Sequence, residues 1–503
     1  MNNFTSDLRN NLNVLLSQNY IYIVVYMVIS FLFLLLFSTS TSPLYIIEGS
    51  DSVVFKQMGA YILNGKVPYV DMFDHKGPLL YFIQALGQWI NPNRWGIFLI
   101  QWLGLSVSTI MWYKISSMYL SPLKSFLSVL LVLFTYFYVI QGGNLTEDYS
   151  SIFISISFYS CLHILKLEST NKCKKVLYGL VGACLAAVFF IRPNDAVAFV
   201  GSLLLGVFVY YIVNKLYKDA INEVLFAGVG FLIITTPIIS FFAYHDALND
   251  LWYGLIEYNS LYSEGLIHMI SDCLSVTKGA YIPILIAVAV LCYKQNDKKI
   301  CVLIYPTLIL AYVFLGSRLY LHYFIVWLPI IVLSFWIFVL QSKHLVIRVL
   351  AILVFLSLPI RSGNILKTPY HYYAFVKQGL SLSEKEKKLI LHSQEIFANV
   401  STEERDSIWS YNLAWNDTVM TFHMLYKNNI LPCNNVQIPF MADVDKNLYK
   451  TNIATTLPKY ILLSENEEKP VSFHLQDSLF INNNYHVLDT IMNPNIILYK
   501  RNE

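Results

Sequence analysis

The sequence predicts a polytopic α-helical membrane protein of about eleven spanning helices, followed by a small soluble α/β domain. Three observations predict it. The 503 residues are 56% hydrophobic and 13% charged, about half the roughly 25% charge of soluble proteins. Apolar stretches near the ~20-residue spanning length recur from residue 20 to 360. After 360 the chain turns polar, with Ser-Glu-Lys-Glu-Lys-Lys at 383–388.

The candidate spans are 20–38, 95–113, 125–141, 150–165, 176–191, 196–214, 224–243, 279–293, 300–316, 322–340 and 345–360. The first is longer than the about 7–15 apolar residues of a signal peptide. Residues 77–90 are apolar but too short to span, and read as a re-entrant or interfacial helix. Lys and Arg set the orientation. With the N-terminus inside, the inner loops hold Lys114, Lys124, Lys166, Lys172, Lys174, Lys175, Lys215, Lys218, Lys294, Lys298, Lys299, Lys343 and Arg348. The outer connections hold fewer cations, and 142–149 holds none. The N-terminus is therefore expected in the cytoplasm of a plasma (inner) membrane protein. Eleven spans then place 361–503 outside. Strand-like runs at 460–463 and 496–499 make that segment a small α/β domain, and 1–360 the transmembrane domain.

Composition excludes several classes. A net charge of +3 without a basic run gives no footprint for nucleic acid. The seven cysteines (161, 173, 184, 273, 292, 301, 433) show no CxxC pair and no zinc spacing. Cys273 and Cys433 fall on the side expected to be oxidising. Aromatics reach 15%, with 36 Tyr, which suits interface belts and sugar-facing surfaces.

The unusual polar residues gather at outward ends. Glu48, Asp51, Lys56, Lys66, Asp71, Asp74, His75 and Lys76 follow the first span. Asn144, Glu147 and Asp148 follow the third, and Arg192, Asn194 and Asp195 turn between the fifth and sixth. Asp246, Glu257, Asn259 and Glu264 follow the seventh, and Arg318, Tyr320, His322 and Tyr323 precede the tenth. Charge near lipid needs a solvation, pairing or chemical reason. In the first connection, Ser50 is the expected N-cap of a helix over 51–64 that ends at Asn64-Gly65. Val54, Met58, Tyr61 and Ile62 have helical spacing, and that face is expected in lipid. Lys76-Gly77-Pro78 opens the short apolar helix, whose N-terminus is a natural anion site.

An acid beside several cations at a membrane surface suits sugar transfer from a polyprenyl phosphate. A carboxylate takes the acceptor hydroxyl's proton, and cations stabilise the leaving phosphate. Lys76, Arg192, Arg318 and His322 are the donor-phosphate candidates. Each residue also has a bland reading. Asp51 caps a helix; Asp71, Asp74 and His75 form a solvated turn; Lys76, Arg192 and Arg318 anchor at headgroups. Glu147 and Asp148 are then an ordinary loop, and Tyr320, His322 and Tyr323 an aromatic belt.

The residues resemble a known family. Asp51-Ser-Val-Val-Phe, then Gly-Lys-Val-Pro-Tyr-Val-Asp-Met-Phe-Asp-His-Lys-Gly-Pro-Leu-Leu, is similar to the first outer loop of bacterial polytopic glycosyltransferases. These are GT-C proteins related to dolichyl-phosphate-mannose protein mannosyltransferases and the lipid A aminoarabinose transferase. Asn144-Leu-Thr-Glu-Asp148, Arg192-Pro-Asn194 and Arg318-Leu-Tyr-Leu-His-Tyr323 resemble later loops of the same family. The resemblance covers roughly 40–340. It implies an inverting glycosyltransferase with Asp51 as base, Glu147 and Asp148 assisting, and Glu48, Asp71, Asp74, His75, Tyr320 and Tyr323 supporting or acceptor-facing. Many relatives have two adjacent acids where this chain has Asp51-Ser52; either Glu48 is the second acid or the chain has only one. The expected partners are a polyprenyl-phosphate sugar, a lipid, glycan or protein acceptor, and membrane lipids. No cofactor is demanded; the acids are compatible with a divalent metal, but no spacing calls for one. A flippase or a glycan polymerase is the alternative. Span centres nearly free of charge count against the first, and the lack of a long outer loop with paired Arg counts against the second.

Overall fold

The computed structural model describes residues 20–45, 49–168, 171–262, 298–314, 321–342, 387–388, 390–398, 400–412, 456–465, 480–491 and 495–502, with single residues at 349, 425, 428 and 430. The spans read over 279–293 and, but for residue 349, 345–360 lie outside the described residues.

The remaining expected spans fall on helices. These are α1 (Ile21–Phe37), α4 (Arg94–Ser117), α5 (Pro122–Val139), α6 (Thr146–Lys166), α7 (Cys173–Phe189), α8 (Pro193–Val213), α9 (Tyr217–Tyr244), α11 (Lys298–Phe314) and α12 (His322–Gln341). Two helices of the first connection, α2 (Ser50–Leu63) and α3 (Pro78–Ile90), and the helical arm α10 (248–262) complete the set used below. Among the described residues, five helices are long and apolar enough to cross a membrane: α4, α5, α8, α9 and α12. The chain divides into two compact units.

The first unit comprises 1–38, 98–239 and 263–374. Its core joins α1, α4–α8, α11 and α12. The most apolar 18-residue window of α12 is 83% buried, so this helix is central. That of α9 is 17% buried, so its apolar side chains belong to lipid. Lipid tails are as apolar as leucine, so close packing and interhelical hydrogen bonds hold such a bundle. Phe33 stacks on Tyr136 at 5.1 Å between ring centres. The hydroxyls of Ser30 and Thr109 lie 3.1 Å apart, those of Ser116 and Ser128 2.7 Å, and those of Ser202 and Thr307 2.8 Å. Trp112 donates its indole N–H to Ser155 at 3.0 Å. Each such bond is worth about 0.6 kcal/mol in a membrane. Of the four described cysteines, Cys161 and Cys184 are buried thiols.

The second unit comprises 39–97, 240–262 and 375–503. Its sheet has strands β1 (Ile408–Asn412), β2 (Tyr460–Glu465), β3 (Tyr485–Ile491) and β4 (Asn495–Arg501) in the order β1-β2-β4-β3. β1 runs parallel to β2, with Ile408 opposite Tyr460. β4 is antiparallel to β2 and β3, and β3 carries a bulge between Val487 and Asp489. Alternation buries both faces: Ile408, Tyr460, Leu462 and Leu498 pack with Ile396 and Phe397, while Trp409, Ile461, Leu463 and Tyr499 pack with Ile481 and Tyr485. Strand-like runs at 460–463 and 496–499 are thus central strands. Gln57 of α2 donates to the Ile430 carbonyl at 3.1 Å, tying the first connection to this C-terminal part.

Candidate active site

The candidate residues fall into one polar cluster in each unit. In the second unit, Gly49, with extended backbone, is the cap residue of α2, and its N–H donates to Ser40 Oγ at 3.1 Å. The cap thus lies one residue before the expected Ser50, and the helix is Ser50–Leu63 rather than 51–64. The expected lipid-facing stripe is also corrected: Val54, Met58 and Tyr61 are buried against protein. Lys56 is buried with them and donates to the Ser40 carbonyl at 2.7 Å. Asp51 stands half-buried in the first turn of α2.

Between α2 and α3 the chain folds on itself. Asp71 accepts the Val67 N–H at 2.6 Å, closing a turn. Tyr69 has φ +68°, in the left-handed region that a bulky side chain rarely adopts. Its N–H reaches the Met72 carbonyl at 2.8 Å and its hydroxyl the Lys76 carbonyl at 2.6 Å. Asp74 is buried and accepts from the Tyr81 hydroxyl and the His75 N–H, both at 2.9 Å. Burial pushes its carboxyl above the usual carboxylate range; Lys76, Tyr81 and the His75 amide pull the other way, and Asp51 adds to the rise. His75 Nδ1 lies 3.5 Å from Asp74 Oδ1, and His75 Nε2 lies 2.8 Å from Lys76 Nζ. Gly77 then caps α3, with Pro78 in its first turn.

The arm α10 holds this knot. Asn259 donates to the His75 carbonyl at 2.9 Å. The Tyr258 ring centre lies 5.5 Å from that of His75 and 5.1 Å from that of Phe73. Tyr69 packs so closely on Gly254 that a Cβ there would meet Tyr69 Cδ1 at 2.5 Å.

In the first unit, four consecutive residues enter the left-handed region: Gln141, Gly142, Gly143 and Asn144, with φ of 40°, 92°, 78° and 61°. Two glycines and an asparagine tolerate this best. A Cβ on Gly143 would also meet Ser38 Oγ at 2.5 Å. The turn delivers Glu147 and Asp148, ahead of the 150–165 span, into buried positions. Asp148 caps α6 by accepting the Leu145 N–H at 2.9 Å; Tyr136 donates to it at 2.5 Å and Gln101 at 3.1 Å. Gln101, Trp112, Tyr136, Asp148 and Ile325 also line a cavity with room for about one water molecule. Glu147 accepts from Thr146 at 2.7 Å and pairs with Arg192. Arg192 also lies 3.6 Å from Asp195 and stacks over Tyr323, 4.0 Å from its ring centre. His322 Nδ1 lies 2.5 Å from Gln141 Oε1.

Asp74, His75 and Lys76 are thus brought together in one unit, and Glu147, Arg192, Asp195 and Tyr323 in the other. Glu48, Arg318 and Tyr320 lie outside the described residues. Sequence reasoning gave little weight to Asn259 and passed over Tyr69, Tyr81, Gln101 and Tyr136; the one local signal was a tyrosine just inside the start of α3. Among the described residues, no group of three His, Cys, Asp or Glu is arranged to hold a metal ion.

Comparisons with known proteins agree with this architecture. The family model described as dolichyl-phosphate-mannose-protein mannosyltransferase matches residues 75–241. No curated protein matches the chain. ArnT from Cupriavidus metallidurans bound to undecaprenyl phosphate is similar at a TM-score of 0.59 and 10% identity, covering 96% of this chain and 98% of that one. The same protein in the apo state gives 0.59 and 11%, over 95% and 97%. The fold is therefore that of the Cupriavidus ArnT structures, and the family model agrees with the resemblance read from the sequence. The chain is an integral membrane protein by its helices and its fold.

Proposed function

We propose that this chain is a membrane glycosyltransferase that moves a sugar from a polyprenyl-phosphate donor to an acceptor hydroxyl, with inversion. The Lys/Arg bias supports a cytoplasmic N-terminus in the plasma (inner) membrane, with the chemistry and residues 361–503 outside. Asp51 is the base. As it takes the hydroxyl proton, the acceptor oxygen bonds to the anomeric carbon and the carbon–phosphate oxygen bond breaks on the opposite face. The electron pair leaves with the polyprenyl phosphate, where cations stabilise it.

One observation carries the reading. An ammonium, Lys76, is held immediately before the N-terminus of α3, in the same unit as the half-buried acid at the first turn of α2. Helix starts favour anions. The undecaprenyl phosphate bound by the Cupriavidus protein of this fold supports a lipid phosphate as the ligand. By the sequence resemblance, Arg318 and His322 are further candidate phosphate cations and Glu147 and Asp148 candidate assisting acids, whereas Arg192 is matched by Glu147 and Asp195.

The test is incubation of purified protein with a panel of polyprenyl-phosphate sugars, scoring released polyprenyl phosphate. Asp51→Asn should lower release by about 10²-fold or more while the thermal midpoint stays put. Near-normal turnover in that variant overturns the assignment of the base; no release from the parent protein with any donor overturns the reading itself.

A further inference from the structure

The contact between His75 and Lys76 has a direction. An ammonium only donates hydrogen bonds. At 2.8 Å from Lys76 Nζ, His75 Nε2 must therefore accept. The imidazole is then neutral, with its proton on Nδ1. That nitrogen faces Asp74 Oδ1 at 3.5 Å. Asp74 is itself fixed by the Tyr81 hydroxyl. The backbone is fixed too: the Lys76 N–H donates to Tyr81 Oη at 3.0 Å, Tyr69 holds the Lys76 carbonyl, and Asn259 holds the His75 carbonyl. Asp74 and Lys76 thus flank the imidazole, at 3.5 Å from Nδ1 and 2.8 Å from Nε2.

The choice of acceptor matters. Lysine is a point charge on a flexible stem with much rotamer freedom. A carboxylate would orient it but cancel its charge; a neutral imidazole orients it and leaves the charge in place. Among the described residues, no carboxylate lies within ion-pair distance of Lys76, whereas Arg192 has two. We propose that His75, backed by Asp74, is a positioning residue that aims the Lys76 ammonium at the donor phosphate without neutralising it. This rests on the assignment of Lys76 to that phosphate.

The experiment is a double-mutant cycle on the full chain in detergent, reading the Kd of undecaprenyl phosphate. Lys76→Gln should weaken binding about tenfold or more. His75→Phe, which keeps a ring against Tyr258 but has no acceptor, should weaken it about fivefold in the parent and less than about twofold in Lys76→Gln. His75→Gln, whose amide oxygen can accept in place of Nε2, should bind within about twofold of the parent. His75→Ala gives the same comparison if phenylalanine disturbs the fold. Equal losses from His75→Phe in both backgrounds make His75 merely structural and overturn the proposal, as does no loss where Lys76→Gln loses. Unchanged binding in Lys76→Gln removes the assignment of Lys76 and the proposal with it.

Discussion

Two basic side chains, Arg192 and Lys76, hold their charge in opposite ways. Arg192 lies between Glu147 and Asp195 and over the Tyr323 ring, so its charge is answered within its own cluster. Lys76 leans on the His75 imidazole instead, with no carboxylate in ion-pair contact among the described residues and the Asp74 carboxyl acting on it from farther off. Arginine suits the first task, because its planar fork meets carboxylates and stacks on aromatic faces; lysine suits the second, as a compact charge. The difference teaches that a cation beside a membrane is not by itself an anion site. What matters is whether acids nearby have already matched it.

The largest effect that could break this contrast is on folding. Glu147→Gln leaves Arg192 with Asp195 as its one remaining acid in a largely buried cluster, and should cost about 3 kcal/mol. Lys76→Gln should cost less, about 1 kcal/mol, the worth of its contact with His75. Thermal unfolding of both variants in detergent checks this, and equal losses would erase the distinction. A smaller effect sharpens the account of the knot: Asn259→Ala removes the hydrogen bond to the His75 carbonyl and should cost about 1 kcal/mol, with severalfold slower release of polyprenyl phosphate. Unchanged release would separate α10 from the function of Lys76.

The smallest effect is on pH dependence. Asp74 binds its proton more tightly in the folded chain than in the unfolded one, because it is buried. Its contribution to stability is therefore full below the unfolded titration, near about pH 4, and is lost as pH rises through the folded titration. The melting temperature of the parent relative to Asp74→Asn should fall as pH rises from about 4 to 8. Parallel curves would mean that the carboxyl is not buried as described.

Long apolar runs made the described spans legible. Pro78, Gly77 and the length of 77–90 likewise announced α3 as a short helix, and short apolar runs announced β2 and β4. The partners of the polar residues were not legible, because the chain is far from local there. Asp148 takes its hydrogen bonds from Tyr136 and from Gln101, 47 residues away; Asn259 reaches His75 across 184 residues. Lys56 looked like one more surface charge, yet it is buried on the carbonyl of Ser40, a residue with no charge to advertise the contact. The cap of α2 slipped by one residue because an extended glycine can precede a helix as readily as a serine.

Tyr69 leaves a last consequence. A bulky residue at φ +68° carries a standing penalty of about 1–3 kcal/mol, and the surrounding contacts must outweigh it. That penalty falls once, when the chain folds. Under the proposed function, a lipid phosphate arriving at Lys76 would meet a loop whose ordering is already complete, and little binding energy would be diverted into arranging it. Relaxing Tyr69 would be expected to steady the protein and slow the capture of its donor.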